Sequence, residues 1–125
     1  MLQNILLVGL GGFIGSMARY FILKHNTEWS IASIPVGTLI VNVLGCLIVG
    51  IILGVSAKHN FLSNEIRLFL VVGICGGFTT FSTFALENFL LFENGQLFSA
   101  FTYISLSVIL CIAAVFLGFA ATNWF

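Results

Sequence analysis

The chain has 125 residues, of which 60% are hydrophobic and 6% charged, and its formal net charge is zero. Soluble domains carry about 25% charged residues, so an ordinary water-soluble fold is excluded. Four basic residues balance four acidic ones, and nothing points to nucleic acid or an acidic surface as partner.

Four apolar stretches follow one another, from Ile5 to Leu23, Ile34 to Val55, Leu68 to Leu91 and Leu97 to Ala121. About 20 helical residues cross a hydrocarbon core of roughly 30 Å, so each is long enough to span. Residues 1–125 are therefore expected to form a single four-helix transmembrane domain in contact with the lipid bilayer. The first stretch contains Ser16-Met17-Ala18, a small-x-small sequence of the kind found at secretion-signal cleavage sites. No Lys or Arg precedes the apolar run, as a signal requires, so a spanning helix is expected instead. Arg19 lies near its end, placed either to snorkel outward or to face an aqueous vestibule.

In the second stretch, Pro35 suits the first helical turn, where a missing N–H costs nothing. Thr38 and Asn42 stand four apart and share a face. A buried amide without partners costs about 2–7 kcal/mol, so Asn42 either bonds a neighbouring helix or offers its NH2 to a dehydrated anion. The third stretch carries the most informative segment, Gly76-Gly77-Phe78-Thr79-Thr80-Phe81-Ser82-Thr83-Phe84. Helix breakers beside four hydroxyl side chains at membrane depth are expected to face protein or a water-filled cavity, because lipid offers no hydrogen bonds. Transporters place ion sites at such interruptions. The plainer account is a glycine kink with its hydroxyls bonded to the preceding turn. Phe78, Phe81 and Phe84 recur every three residues, and their ring edges carry partial positive charge. Glu87 lies near the end of the stretch. In the fourth stretch Tyr103, Ser107 and Cys111 mark one polar stripe.

Gly11 and Gly15, Gly50 and Gly54, and Gly73 and Gly77 form small-xxx-small pairs that let helices approach closely. Four helices rarely enclose a polar path, so an oligomer is expected. Lys58 and Arg67 fall on one side of the membrane, Lys24 and Arg19 on the other. This balance gives the positive-inside rule nothing to act on and permits insertion in both orientations. Cys46, Cys75 and Cys111 match no zinc, haem or redox spacing and are expected as free thiols. Donors for an anion are plentiful in Thr38, Asn42, Ser82, Thr83, Tyr103 and Ser107, whereas no carboxylate lies deep in a span. Neither a nucleophile–base pair nor a metal-ligand cluster is apparent, and an enzyme is not expected.

GGFIGSMARY from Gly11 to Tyr20, GTLIVNVLG from Gly37 to Gly45 and GICGGFTTFSTF from Gly73 to Phe84 together resemble the Fluc/CrcB family of fluoride channels over essentially the whole chain. The resemblance implies an all-α membrane protein, its third helix broken near the midplane, assembled as an antiparallel dual-topology homodimer. It implies passive, selective fluoride export across the bacterial inner membrane through pores at the dimer interface. Asn42, Phe81 and Phe84 would coordinate fluoride, with Thr38, Thr83, Tyr103 and Ser107 along the path, Glu87 a further pathway candidate and Arg19 at a vestibule. A structural sodium ion would be held by the backbone carbonyls of Gly76 and Thr79. Cys111 departs from the pattern, standing where similar chains often carry a hydroxyl. The competing class is a small dual-topology multidrug exporter, which needs a deep acid in the first span; none lies between Ile5 and Leu23.

Overall fold

The computed structural model describes residues 1–26, 28–59 and 62–124. Thr27 in the first connection, Asn60 and Phe61 in the second, and Phe125 lie outside the described residues. Four helical stretches are long and apolar enough to cross a bilayer: Leu2–His25, Val36–Lys58, Asn64–Glu93 and Leu97–Trp124.

Helix α1 (Leu2–His25) ends on Asn26, whose Nδ2 donates to the Ile22 carbonyl at 2.9 Å. Lys24 and His25 complement the negative end of its dipole. A two-residue hairpin follows, β1 (Ser30–Ile31) paired antiparallel with β2 (Ile34–Pro35). Helix α2 (Val36–Lys58) then begins with Pro35 as its cap, in extended conformation. Proline thus stands one position ahead of the first turn where the sequence places it, because its carbonyl serves the helix while its φ suits the hairpin strand.

The third span is composite. A short turn, α3 (Asn64–Arg67), starts on the Ser63 hydroxyl, which accepts from the Ile66 N–H at 3.3 Å. It widens into a π-helix over Leu68–Cys75, continues as α4 (Gly76–Phe78), stops, and resumes as α5 (Phe81–Glu93). Gly95, at φ +72°, allows the tight return into α6 (Leu97–Ala121), which closes with a 3-10 turn over Thr122–Trp124. Gln96 Nε2 donates to Ser33 Oγ at 2.9 Å, and Ser99 Oγ donates to the Ala32 carbonyl at 2.8 Å. These bonds tie the hairpin to the start of α6.

Two helix pairs dominate the packing: α1 against the first half of the third span, and α2 against α6. Both depend on glycine. A Cβ on Gly11 would meet the Phe69 carbonyl at 2.5 Å and Gly73 Cα at 2.8 Å, and Gly15 sits against the Ile74 carbonyl. Gly50 meets the Val115 carbonyl in the same way, and Gly118 that of Leu47. All three small-xxx-small pairs read from the sequence therefore lie at helix crossings. Around them runs a largely apolar exterior, with Leu10, Phe13, Phe98 and Phe116 all exposed.

Candidate functional site

The helix breaks at Thr79 and Thr80, whose ψ angles of 157° and 118° are extended. This corrects the expectation of a break from Gly76 to Thr79: backbone remains helical through Gly76, Gly77 and Phe78. Glycine permits an interruption, but at membrane depth a helix can open only where other groups replace its hydrogen bonds. Asn42 supplies them. Its Oδ1 accepts from the Thr80 N–H at 2.8 Å, and its Nδ2 donates to the Thr80 carbonyl at 3.1 Å. Thr80 then caps α5, its hydroxyl accepting from the Thr83 N–H at 3.2 Å and donating to Thr83 Oγ1 at 3.0 Å. The Thr79 hydroxyl bonds back to the Cys75 carbonyl at 2.9 Å, as the plainer account of the hydroxyls anticipates. Gly45 leaves room on α2 for the Thr79 methyl.

Breaking the ladder releases carbonyls. In a continuous helix the Thr80 N–H would serve Gly76 and the Thr83 N–H would serve Thr79. Here both donors turn to side chains. The Thr79 carbonyl instead accepts from Arg19 Nη1 at 3.0 Å. Arg19 therefore reaches inward to the break, and neither snorkels nor stands free at an end of the span.

Helices α2 and α6 run parallel, as the second and fourth spans must, and meet in a constant register. Thr38 pairs with Tyr103, Asn42 with Ser107, Cys46 with Cys111, Gly50 with Val115 and Gly54 with Phe119, in steps of four on both helices. Step by step the ladder changes from polar to thiol to close-packed glycine.

Asn42, Ser107, Phe81 and Phe84 line one cavity of about 270 Å³, together with Thr79, Thr80 and the two thiols. Ser107 is 7% exposed, and its Oγ has no hydrogen-bond partner among the described residues. Buried hydroxyls are nearly always bonded, so Ser107 stands out as an uncommitted polar group in the cavity wall. Phe84 is buried against Tyr103, ring centroids 5.0 Å apart. Phe81 stacks obliquely on Phe84 at 5.4 Å but is 78% exposed, leaving one wall of the cavity unfinished.

One turn along the ladder, Glu87 of α5 accepts from the Thr38 hydroxyl at 2.6 Å and from the Tyr103 hydroxyl at 2.7 Å, one on each carboxylate oxygen. Sequence position alone put Glu87 near the end of a span. The structure joins it to the donor line, and Thr38 and Glu87 also line a second cavity of about 190 Å³ with Leu23, Asn26 and Trp29. Six of the seven pathway candidates thus fall into two groups, and the seventh, Thr83, stands apart from both. Asn42, Phe81, Phe84 and Ser107 share the cavity, Thr38 and Tyr103 hold Glu87, and Thr83 braces the break. Asn88 was not anticipated: it is buried, its Nδ2 donates to the Phe84 carbonyl at 2.9 Å, and its Oδ1 is unpartnered among the described residues. An amide in an apolar run, four residues after Phe84, was the available signal.

A four-span helical membrane protein, with its third span opened at mid-length by an amide from the second, is the class defined by this fold and site. The family model described as "CrcB-like protein, Camphor Resistance (CrcB)" matches residues 6–119. The chain is 43% identical to a protein of Azobacteroides pseudotrichonymphae genomovar. CFP2 over 125 residues, all of both chains. It is 46% identical to one of Nitrobacter winogradskyi over 114 residues, 91% of this chain and 90% of that one. A relative in Agrobacterium fabrum is 44% identical over 117 residues, 94% of each chain. All three carry the name "Fluoride-specific ion channel FluC". The chain belongs to the CrcB family, and it is a multi-pass bacterial membrane protein.

Proposed function

We propose that this chain is a passive, fluoride-selective channel of the bacterial inner membrane and not an enzyme. The observation that carries the reading is the orphaned Ser107 hydroxyl, buried in a cavity it shares with Asn42 and the Phe81 and Phe84 rings. Fluoride is small and strongly hydrated, so passage requires fixed donors in place of its water shell. Ser107 offers an uncommitted O–H. Asn42 engages one amide proton on the Thr80 carbonyl and keeps the second. The ring edges of Phe81 and Phe84 add weakly positive walls. Their sum is a site that binds well enough to admit the ion and loosely enough to release it. Larger halides meet a path built around one serine and two rings.

Beyond the cavity, Thr38 and Tyr103 point their protons at Glu87. In this reading the carboxylate orients both hydroxyls, and fluoride competes with it for them on its way to the smaller cavity. Arg19 and the N-terminal end of α5 add positive potential at the break.

The pore is completed by a second, oppositely inserted copy. Phe81 is an exposed ring in a half-walled cavity, and a partner chain laid over it would close the path; the even charge balance permits both orientations. The carbonyls of Gly76 and Thr79 fit a small hard cation: they are oxygen donors released by the break, and Thr79 keeps one lone pair beside Arg19. A sodium ion held by them would supply a fixed positive charge that knits two copies together.

Liposomes loaded with fluoride test the reading. Purified protein is expected to release the ion at a rate far above that of empty vesicles, with chloride retained. Efflux equal to that of empty vesicles would overturn it. Exchanging sodium for a bulkier organic cation is expected to lower both efflux and the dimer fraction; indifference of both would remove the sodium site.

A further inference from the structure

Cys46 and Cys111 lie in side-chain contact across α2 and α6 and line one cavity with Asn42 and Ser107, one helical turn before the glycine contact of Gly50 with Val115. Both thiols are free, half-buried and part of the wall of the 270 Å³ cavity. Cys75 is free but fully buried and does not line it. Cys75 also neighbours Cys46, but burial keeps it off the cavity wall, so only Cys46 and Cys111 are both in contact and accessible from the cavity.

We propose that Cys46 and Cys111 form a two-coordinate site for a soft, doubly charged d10 cation, of which Hg(II) is the type, inside the cavity that Ser107 and Asn42 line. Three arguments support it. Thiolate is the soft ligand that selects such ions over the hard cations a carbonyl or carboxylate would hold. Two sulfurs suffice for a linear centre, so the absence of any cluster of three metal-binding side chains among the described residues does not oppose it. The charge also balances. Neutral mercuric chloride reaching the cavity exchanges two chlorides for two sulfurs, releasing two protons and two chloride ions, and leaves an uncharged S–Hg–S bridge. No redox partner is required. A neutral product matters at this depth, where an uncompensated charge is expensive. Singly charged soft d10 ions such as Cu(I) or Ag(I) would leave a net negative centre between two thiolates and are disfavoured.

An occupied bridge would stand one rung from Asn42 and Ser107 and obstruct anything passing them. That consequence rests on the channel reading; the binding itself does not.

The experiment separates the two. Detergent-solubilised full chain is titrated with mercuric chloride, metal per chain is read by intact mass, and remaining thiols by maleimide labelling. One mercury per chain is expected, with Cys46 and Cys111 protected together and Cys75 unchanged. Cys46→Ser and Cys111→Ser should each bind mercury at least about 100-fold more weakly, since loss of a direct ligand exceeds the 10–100-fold typical of supporting residues. Cys75→Ser should match the parent. Protection of one thiol alone, or mercury retained equally by the Cys46→Ser/Cys111→Ser double variant, would overturn the proposal. Fluoride efflux is then measured with and without mercury, each variant against its own untreated rate. Block is expected in the parent and in Cys75→Ser, and none in the double variant. Bound mercury with unimpeded efflux would refute the obstruction, whereas no efflux even in untreated parent would refute the channel reading and leave the mercury count standing.

Discussion

Two seams hold the molecule together, and they use glycine to different ends. Between α1 and the first half of the third span, Gly11, Gly15, Gly73 and Gly77 press backbone on backbone. Among the described residues, Arg19 at its far end is the one polar side chain that hydrogen-bonds across that seam. Between α2 and α6 the glycine contact occupies only the half around Gly50, Gly54 and Gly118. The other half of the same pair holds Cys46, Asn42 and Thr38 facing Cys111, Ser107 and Tyr103. Close approach at one end of a rigid parallel pair fixes the spacing at the other, where the cavity lies. The first seam assembles; the second assembles and positions.

Gly15→Val should break the first seam, since its Cβ would collide with the Ile74 carbonyl and Phe78 nitrogen, backbone atoms that cannot rotate away. Overpacking typically costs about 1–3 kcal/mol and occasionally more, and a clash with immovable backbone falls at the upper end. The expected result is loss of a monodisperse species on size exclusion, and normal elution would contradict the packing. Asn42→Ala should have a smaller effect on the fold and a larger one on function. It strands the Thr80 N–H and C=O, at about 1–3 kcal/mol each, but the Thr80 N–H can swing back to the Gly76 carbonyl and heal the helix. Thermal stability should therefore fall only modestly, while fluoride efflux falls about tenfold or more, as ~1.4 kcal/mol at the barrier would give. Wild-type efflux in this variant would show that the break does not depend on the amide.

The spans, the glycine seams and Asn42 were legible in the sequence because each follows from composition at a known spacing. The location of the break was not. Glycine is the local breaker, yet Gly76 and Gly77 stay helical because nothing there replaces the lost bonds, whereas Thr80 meets Asn42 from another span. That is a tertiary fact. The partners of Glu87, a pathway candidate in the sequence, were hidden for a similar reason: position along a span says nothing about which neighbours donate to its carboxylate. The hairpin was hidden too. Its turn places Ala32 and Ser33 at φ 51° and 66°, where Asn-Gly is the usual signature, so no turn residue announced it. Arg19 could be read as snorkelling or vestibular, and only the fold shows its guanidinium on the Thr79 carbonyl.

Ser107→Ala sharpens the contrast between the seams most finely, because stability and function should move in opposite directions. In the α1 seam the glycine contacts are structural, so any damaging change at them lowers both together. Ser107 occupies the α2–α6 seam but bonds nothing among the described residues, so its hydroxyl contributes no folding contact and bears a desolvation penalty. Removing it should leave the melting temperature unchanged or raise it, by no more than about 1 kcal/mol of stability. If that hydroxyl is the uncommitted donor for a dehydrated anion, efflux should fall by about tenfold, a hydrogen bond to a charged species being worth roughly 1.5–3 kcal/mol. A drop in melting temperature alongside efflux would make Ser107 one more structural contact and erase the distinction. An unchanged efflux with raised stability would leave the cavity without its principal donor.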